Sequence, residues 1–331
     1  MRTIDRSRTQ RIRGSVHARL RSRWAPVLLM LAGSGAAAPA TPATAQPAAV
    51  ATLPHPKHIV ILIAENKGYG DIINSTNASY LNALTTQGAS LTNFCALHHP
   101  SQPNYINFFS GATQGIFNDT CPKAKFTAPS LGGSLIQNKL SFKGYAEDLP
   151  HDLTICMAGN TYGRKHCPWL DFTDVPAGAS STFTTFPKQA SGFEKLPAVS
   201  LVIPNLFHDM HSAKTDTQDP IPEEIATGDA WLKEHLDAYV QWAKANNSLL
   251  IVTWDEDSST YDYPTDASMK IDTQPPHNHI ATILVGAMVT PGATSAQQYT
   301  HHDLLRTIED MFGLPLLGGS QNARDIDGIW K

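Results

Sequence analysis

Charged side chains are scarce in this 331-residue chain: 16% are Asp, Glu, Lys or Arg, where about a quarter is usual for a soluble domain. Positive charge is scarcer still over most of the length. Residues 1–45 hold eight of the 25 Lys+Arg and one of the 29 acids, Asp5, which leaves residues 46–331 with 17 basic and 28 acidic side chains, a net of -11. Without clustered Lys and Arg nothing attracts a phosphate backbone, so a nucleic-acid partner is excluded. No apolar run reaches the roughly 18 residues of a stable membrane span. Heptads and collagen-like triplets are missing, which excludes coiled coils and fibres, and no internal repeat is visible. There is no G-x-S-x-G elbow, which speaks against an α/β-hydrolase esterase. H-E-x-x-H and G-x-x-x-x-G-K-[ST] are absent too, which sets aside zincin proteases and P-loop NTPases.

Cysteine is sparse but even in number: Cys95, Cys121, Cys156 and Cys167. None forms a C-x-x-C pair, so structural disulfides are favoured over thiol-redox or zinc chemistry. Spacing suggests Cys95–Cys121 and Cys156–Cys167, one of three possible connectivities. The ends agree with export. An Arg-rich stretch closing at Arg23 precedes the short apolar segment Trp24–Ala38, and Ala43-Thr44-Ala45 fits small-residue cleavage. Residues 1–45 thus read as a signal peptide, the alternatives being an uncleaved anchor or a tail. Residues 46–56 form a Pro/Ala-rich linker and residues 57–331 the functional domain. No adjacent twin Arg precedes the apolar segment, so general secretion to the periplasm or the medium is expected. A monomer is the expected state.

Four β-branched runs predict buried strands: His58–Ala64, Ala198–Ile203, Ser248–Thr253 and Ile280–Val285. Helical patterns over Tyr105–Gly111, Thr227–Asn246 and His302–Phe312 lie among them. The alternation predicts an α/β fold, a mostly parallel sheet with helices on both faces. Ligand sites in such sheets lie beyond the carboxyl ends of the strands. There the sequence places Glu65-Asn66, Asn205 with His208-Asp209-x-His211, and Asp255-Glu256-Asp257. The fourth run differs, because His277-Asn278-His279 precede it. Glu65, Asp209, His211, Asp255, Glu256 and His279 make a carboxylate and imidazole set suited to a divalent cation. A body this acidic needs such a cation if its ligand is anionic. Ser101, between Pro100 and Pro103 and leading into a helix, is on local pattern a helix cap. The same place would suit a metal-activated nucleophile beside anion-stabilising N–H groups. Two long loops, 119–195 and 256–279, are available to shape a pocket.

Six ordered segments carry a resemblance. They are Glu65-Asn66-Lys67, His99-Pro100-Ser101-Gln102-Pro103-Asn104-Tyr105, Pro204-Asn205-Leu206-x-His208-Asp209-Met210-His211, Trp254-Asp255-Glu256, Asn278-His279-Ile280, and His301-His302-x-Leu304-Leu305-Arg306. Over residues 57–318 the chain resembles the bacterial phosphoesterase family of secreted acid phosphatases and phospholipases C, particularly its acid phosphatase branch. The resemblance implies an alkaline-phosphatase-like sandwich. It implies Glu65 as an acidic metal ligand, with Asn66 a phosphate or metal contact. Ser101 matches the nucleophile, and Asn118 falls near an Asn that binds phosphate oxygen. Asp255 and Glu256 match an acidic pair that is Asp-His in more distant relatives, and His279 matches a His beside it. His208, Asp209 and His211 fill the remaining motif, with their metal contacts left open. His301 matches a family His that is a ligand, an acid or structural.

Glu256 in place of His favours Ca²⁺, Mg²⁺ or Mn²⁺ over two Zn²⁺ ions. The implied activity is phosphomonoester hydrolysis through a phosphoserine, with His211 or His301 protonating the leaving group, acting on soluble esters or on lipid head groups. A protonated His would make an acidic optimum reasonable. A phospholipase C is the alternative, and an inactive metal- or phosphate-binding protein the third possibility. Mass spectrometry of the exported protein is expected to find Gln46 at its N-terminus; an exported form retaining Met1 would contradict the leader.

Overall fold

Continuous apolar runs can be buried only in a sheet covered on both faces, and this chain builds one. The computed structural model describes residues 53–215, 221–258 and 277–331; the leader 1–45, most of the linker and most of loop 256–279 lie outside them. The strands of the main sheet are β1 (His58–Ala64), β2 (Ala89–Cys95), β3 (Phe142–Ala146), β4 (Ser180–Thr182), β5 (Val199–Ile203), β6 (Ser248–Trp254), β7 (His279–Gly286), β8 (Ala293–Ser295) and β9 (Tyr299–Thr300). Their order is β8-β2-β7-β6-β1-β5-β3-β4, with β9 also paired to β2. At the centre Ile61 of β1 lies opposite Leu201 of β5 and Ile251 of β6, both in parallel register. All of β5 and β6 is buried, as periodicity-free apolar strands require.

Only β7 runs against its neighbours, β2 and β6. That reversal explains the odd position of its polar flank. The residues before β7 fall at the edge where β1, β5 and β6 end, so Asn278 and His279 reach the same rim as Glu65 and Asp255. All four expected strands match within one residue at each end. The shorter strands β2, β3 and β4 escape a search for apolar runs. β2 mixes Ser, Thr and Asn with apolar residues and carries an irregular register between Leu91 and Phe94. β3 contains Gly144, where a Cβ would lie 2.1 Å from the Trp169 ring. The bare backbone lets that indole pack on the sheet.

The helices are α1 (Ser79–Gln87), α2 (Ser101–Ser110), α3 (Leu131–Gln137), α4 (Ile221–Ala243) and α5 (His301–Phe312), besides two single turns. The helix expected from Tyr105 begins four residues earlier, at Ser101. Pro103 is tolerated there because the first turn of a helix has no intrahelical N–H bond to lose. Helix α4 begins at Ile221 with Glu223 and Glu224 in its first turn, where acids favour the helix dipole. It buries Leu232, Leu236, Tyr239, Val240 and Ala243 at three- and four-residue spacing. Helix α5 is started by Thr300, whose N–H donates to Asp303 Oδ2 and whose Oγ1 accepts the His302 N–H, and ended by Gly313.

The expected disulfides are corrected. Cys121 bonds Cys156, with Cα atoms 5.9 Å apart. Cys95 closes buried strand β2 and Cys167 lies buried in the core, both outside this bond. Sequence proximity misleads here because α2, about 15 Å long at 1.5 Å per residue, separates Cys95 from Cys121. Peptide mapping of the non-reduced protein should join Cys121 to Cys156; a Cys95–Cys121 link would contradict the fold. The bond spans 35 residues, so Cys121→Ser should lower the unfolding free energy measured by denaturant titration by about 3–4 kcal/mol.

Candidate active site

Main-chain bonds knit three strand ends together. The Glu65 N–H donates to the Asp209 carbonyl at 2.7 Å and the Asp255 N–H to the Ala64 carbonyl at 3.0 Å. The Asn66 N–H reaches Asp255 Oδ1 at 3.1 Å. The turns use left-handed backbone at Asn66 (φ 49°) and Met210 (φ 79°). Asn tolerates this region, whereas at Met it is strained and must be held by its surroundings. Buried Lys67 does so: its Nζ donates to the Met210 carbonyl at 2.7 Å and pairs with Glu224 of α4 at 2.9 Å.

The fourth contribution is the start of α2. Asn104 folds the preceding segment back, accepting the Leu97 and His98 N–H groups at 3.2 and 2.9 Å and donating to the His98 carbonyl at 2.8 Å. Ser101 follows a cis His99–Pro100 bond and is the first residue of the helix, 1% exposed. Gly111 ends α2 at φ 72°, with the Leu317 carbonyl 2.0 Å from where a Cβ would stand, so only Gly fits.

Ser101 Oγ lies 3.0 Å from Glu65 Oε2, 3.3 Å from Glu256 Oε1 and 3.5 Å from Asn66 Oδ1. A hydroxyl has one proton to donate, and here it meets three acceptors. The four acids Glu65, Asp209, Asp255 and Glu256 are all buried. Burial first, and then the charge of Glu65, push Asp209 and Asp255 well above the ordinary carboxylate range. Burial also raises Glu256, to about 7. Burial opposes ionisation of Glu65 as well, but the neighbouring His166 and Lys165 outweigh it and hold that carboxyl at about 2.

Two histidines that the sequence did not single out as site residues are built into this cluster. His166, in a short turn of the 119–195 loop, places Nε2 3.0 Å from Glu65 Oε1 and Nδ1 3.5 Å from Asp209 Oδ2, and stacks on Tyr105. His99 lies 2.9 Å from Glu256 Oε2 and 3.5 Å from Asp257. Burial works against its charge, but hydrogen bonds to Asp257 and Glu256 prevail and raise it to about 9. Nothing periodic marks His166, while His99 was visible as the residue before Pro100-Ser101.

The remaining expected residues divide. His211 stands at the rim, its N–H donating to Asp209 Oδ1 at 2.8 Å and its ring 6.3 Å from that of His166. His208 turns elsewhere: Nδ1 pairs with Glu147 at 2.8 Å, Nε2 lies 3.1 Å from Lys214, and the ring stacks on Trp231. Adjacent residues on a turn point in different directions, so Asp209 enters the cluster and His208 does not. His279 bonds the Thr92 carbonyl at 3.0 Å and stacks on Tyr69. His301 is a core residue at the start of α5, bonding the Trp254 carbonyl at 2.9 Å between Phe94 and Phe108. Burial lowers it to about 4, so it is neutral at pH 7 and ill placed to act as an acid. Asn118 is exposed and accepts the Thr120 N–H at 2.9 Å, a local turn rather than a contact to Ser101.

Among the described residues no three His, Cys, Asp or Glu side chains stand in ready metal-ligating geometry. The chemistry of the cluster nevertheless fits a cation. Asp209 Oδ2 and Asp255 Oδ2 are buried and accept no hydrogen bond, and buried oxygens of this kind are costly unless an ion or donor meets them. An oxygen-rich donor set suits a hard divalent ion.

Comparison with known proteins identifies the family and the fold. The phosphoesterase family profile matches residues 73–315. The Mycobacterium tuberculosis phosphatidylinositol-3-phosphatase is 42% identical over 283 residues, 85% of each chain. The phosphate-repressible acid phosphatase of Penicillium chrysogenum is 29% identical over 252 residues, 72% of this chain and 55% of that one. A Vibrio parahaemolyticus protein in the alkaline phosphatase superfamily shares the fold, with a TM-score of 0.55 and 14% identity over 82% of this chain and 70% of that one. The sandwich implied by the sequence is therefore the one observed, and the chain belongs to the phosphoesterase family.

Proposed function

We propose that this chain is an exported, divalent-metal-dependent phosphomonoesterase that works through Ser101, with phosphoinositides among its substrates. One observation carries the reading: a buried Ser hydroxyl that begins a helix and is ringed by Glu65, Glu256 and Asn66 oxygens at 3.0 to 3.5 Å. Similarity to a phosphatidylinositol-3-phosphatase and to an acid phosphatase supports the monoester and lipid-phosphate assignment. The Cys121–Cys156 disulfide supports export to an oxidising compartment.

Glu65, Asp209, Asp255 and Glu256 would hold the cation. Bound there, it supplies the positive charge that lowers the Ser101 hydroxyl pKa and offsets the charge of the phosphoryl oxygens. Asn66 and the first N–H groups of α2 orient the phosphoryl group. Ser101 Oγ attacks phosphorus as its proton passes to Glu256 Oε1, 3.3 Å away, the carboxylate whose proton affinity burial raises. The new Oγ–P bond forms as the bond to the leaving oxygen breaks, and that oxygen takes a proton from His211 at the rim. Water then attacks phosphorus while its proton passes to the neutral His211; the Oγ–P bond breaks, phosphate leaves, and the carboxylate returns its proton to Ser101 Oγ. His99 and His166 keep the carboxylates in place through the contacts described above.

Release of p-nitrophenol from p-nitrophenyl phosphate across pH 4–9 tests this account. Ser101→Ala is expected to lose at least about 1000-fold in kcat. A chelator should abolish wild-type activity, and a returned divalent ion should restore it. Phosphate release from phosphatidylinositol 3-phosphate vesicles would extend the reading to lipids. Full activity in Ser101→Ala would overturn it.

A further inference from the structure

The start of α2 is where an anionic substrate would meet Ser101, and it already holds an anion. Asp119 Oδ1 accepts the N–H of Gln102, the residue after Ser101, at 3.0 Å. Asp119 Oδ2 lies 2.6 Å from Lys165 Nζ. Lys165 directly precedes His166, and its ammonium is raised above its ordinary range by Glu65 and Asp119 against the opposing effect of burial. A carboxylate is thus clasped between a main-chain N–H and an ammonium beside the nucleophile, the arrangement a phosphoryl oxygen pair would require. The site is also incomplete as it stands: fully buried Asp255 leaves its Oδ2 without a donor, the oxygen that a cation accompanying the phosphoryl group would meet.

The two partners differ in freedom. The Asp119 side chain is 36% exposed and that of Lys165 is 15% exposed, so the carboxylate has water to move into while the cation stays. Its loop cannot drift far. With its amide nitrogen turned to the loop, Gln102 donates to the Asn118 and Thr120 carbonyls at 3.2 and 3.0 Å. Two residues beyond Asp119, Cys121 is fixed to Cys156. A tethered carboxylate competes at high effective concentration, so it returns whenever the phosphoryl group leaves.

We propose that Asp119 is a tethered occupant of the phosphoryl subsite, displaced by substrate, and that Lys165 and the Gln102 N–H are phosphoryl-binding groups. The proposal rests on the phosphomonoesterase reading of the same site. It assigns to Lys165 and the Gln102 N–H the phosphate-oxygen contact that the resemblance put near Asn118, and it makes Asp119 a brake on phosphate affinity and an aid to product release.

The test is calorimetric titration of inorganic phosphate into the metal-supplemented full chain, beside p-nitrophenyl phosphate kinetics on the same preparations. Asp119→Asn keeps an oxygen for the Gln102 N–H but removes the competing charge. It should tighten phosphate binding about tenfold, given charge interactions of this size near a protein surface. Lys165→Met should weaken binding tenfold or more, with Lys165→Arg restoring part of it. In the Lys165→Met background, Asp119→Asn should add little, because the two residues act through one contact. Unchanged or weaker binding in Asp119→Asn, or wild-type binding in Lys165→Met, would overturn the proposal while wild-type turnover left the phosphatase reading standing. The expected binding series without wild-type turnover would instead sink the phosphatase reading alone.

Discussion

Four buried carboxylates confined to one end of the sheet, two of them on the Ser101 hydroxyl, set the terms for the whole site. Glu65 Oε2 and Glu256 Oε1 lie 3.0 and 3.3 Å from the same Ser101 oxygen, so they are at most about 6 Å apart. At that distance two unit charges repel by about 3 kcal/mol with an effective dielectric constant near 20. Asp209 and Asp255 add to it. Such a cluster persists only if protons or cations neutralise it, and the surroundings are arranged accordingly. His99 carries its charge onto Glu256 and Lys165 helps keep Glu65 ionised, while burial holds His166, between Glu65 and Asp209, neutral at pH 7. The oxygens without a hydrogen-bond donor, Asp255 Oδ2 and Asp209 Oδ2 with its long 3.5 Å contact to His166, are those a divalent ion would meet.

The fold enforces the crowding rather than merely permitting it. Three parallel strands end side by side, and the reversed β7 delivers its leading residues to the same edge. Asn278 exploits that placement: it donates to the His98 carbonyl at 2.8 Å and accepts the Asp257 N–H at 2.9 Å, tying the Ser101 approach to the β6 acids. Lys67 performs the matching task on the other side by holding Met210 in its strained turn. Each tie joins segments far apart in sequence, so the acids cannot relax away from one another without opening the sheet edge.

This explains what the sequence could and could not disclose. Glu65, Asn66, Asp255 and Glu256 were legible because each follows a strand marked by a continuous apolar run. Ser101 was legible from its proline-flanked turn, and Asp209 from its short distance beyond β5. Direction was not legible: His208 is next to Asp209 yet faces Glu147 and Trp231, and His301, at the start of α5, turns inward to the Trp254 carbonyl. Lys165, His166 and Asp119 come from a long aperiodic loop. Their positions depend on a disulfide whose partners sequence spacing had paired differently, and on the stacking of His166 on Tyr105. No local pattern encodes those contacts.

The central claim is that the carboxylate cluster is a cation site. It is tested most directly by thermal unfolding of the chelator-stripped chain, with Ca²⁺, Mg²⁺, Mn²⁺ or Zn²⁺ returned singly, in wild type and Asp255→Asn. The account predicts that at least one ion raises the wild-type midpoint in a concentration-dependent way and that Asp255→Asn loses most of this rise. A wild-type midpoint indifferent to every ion would contradict it.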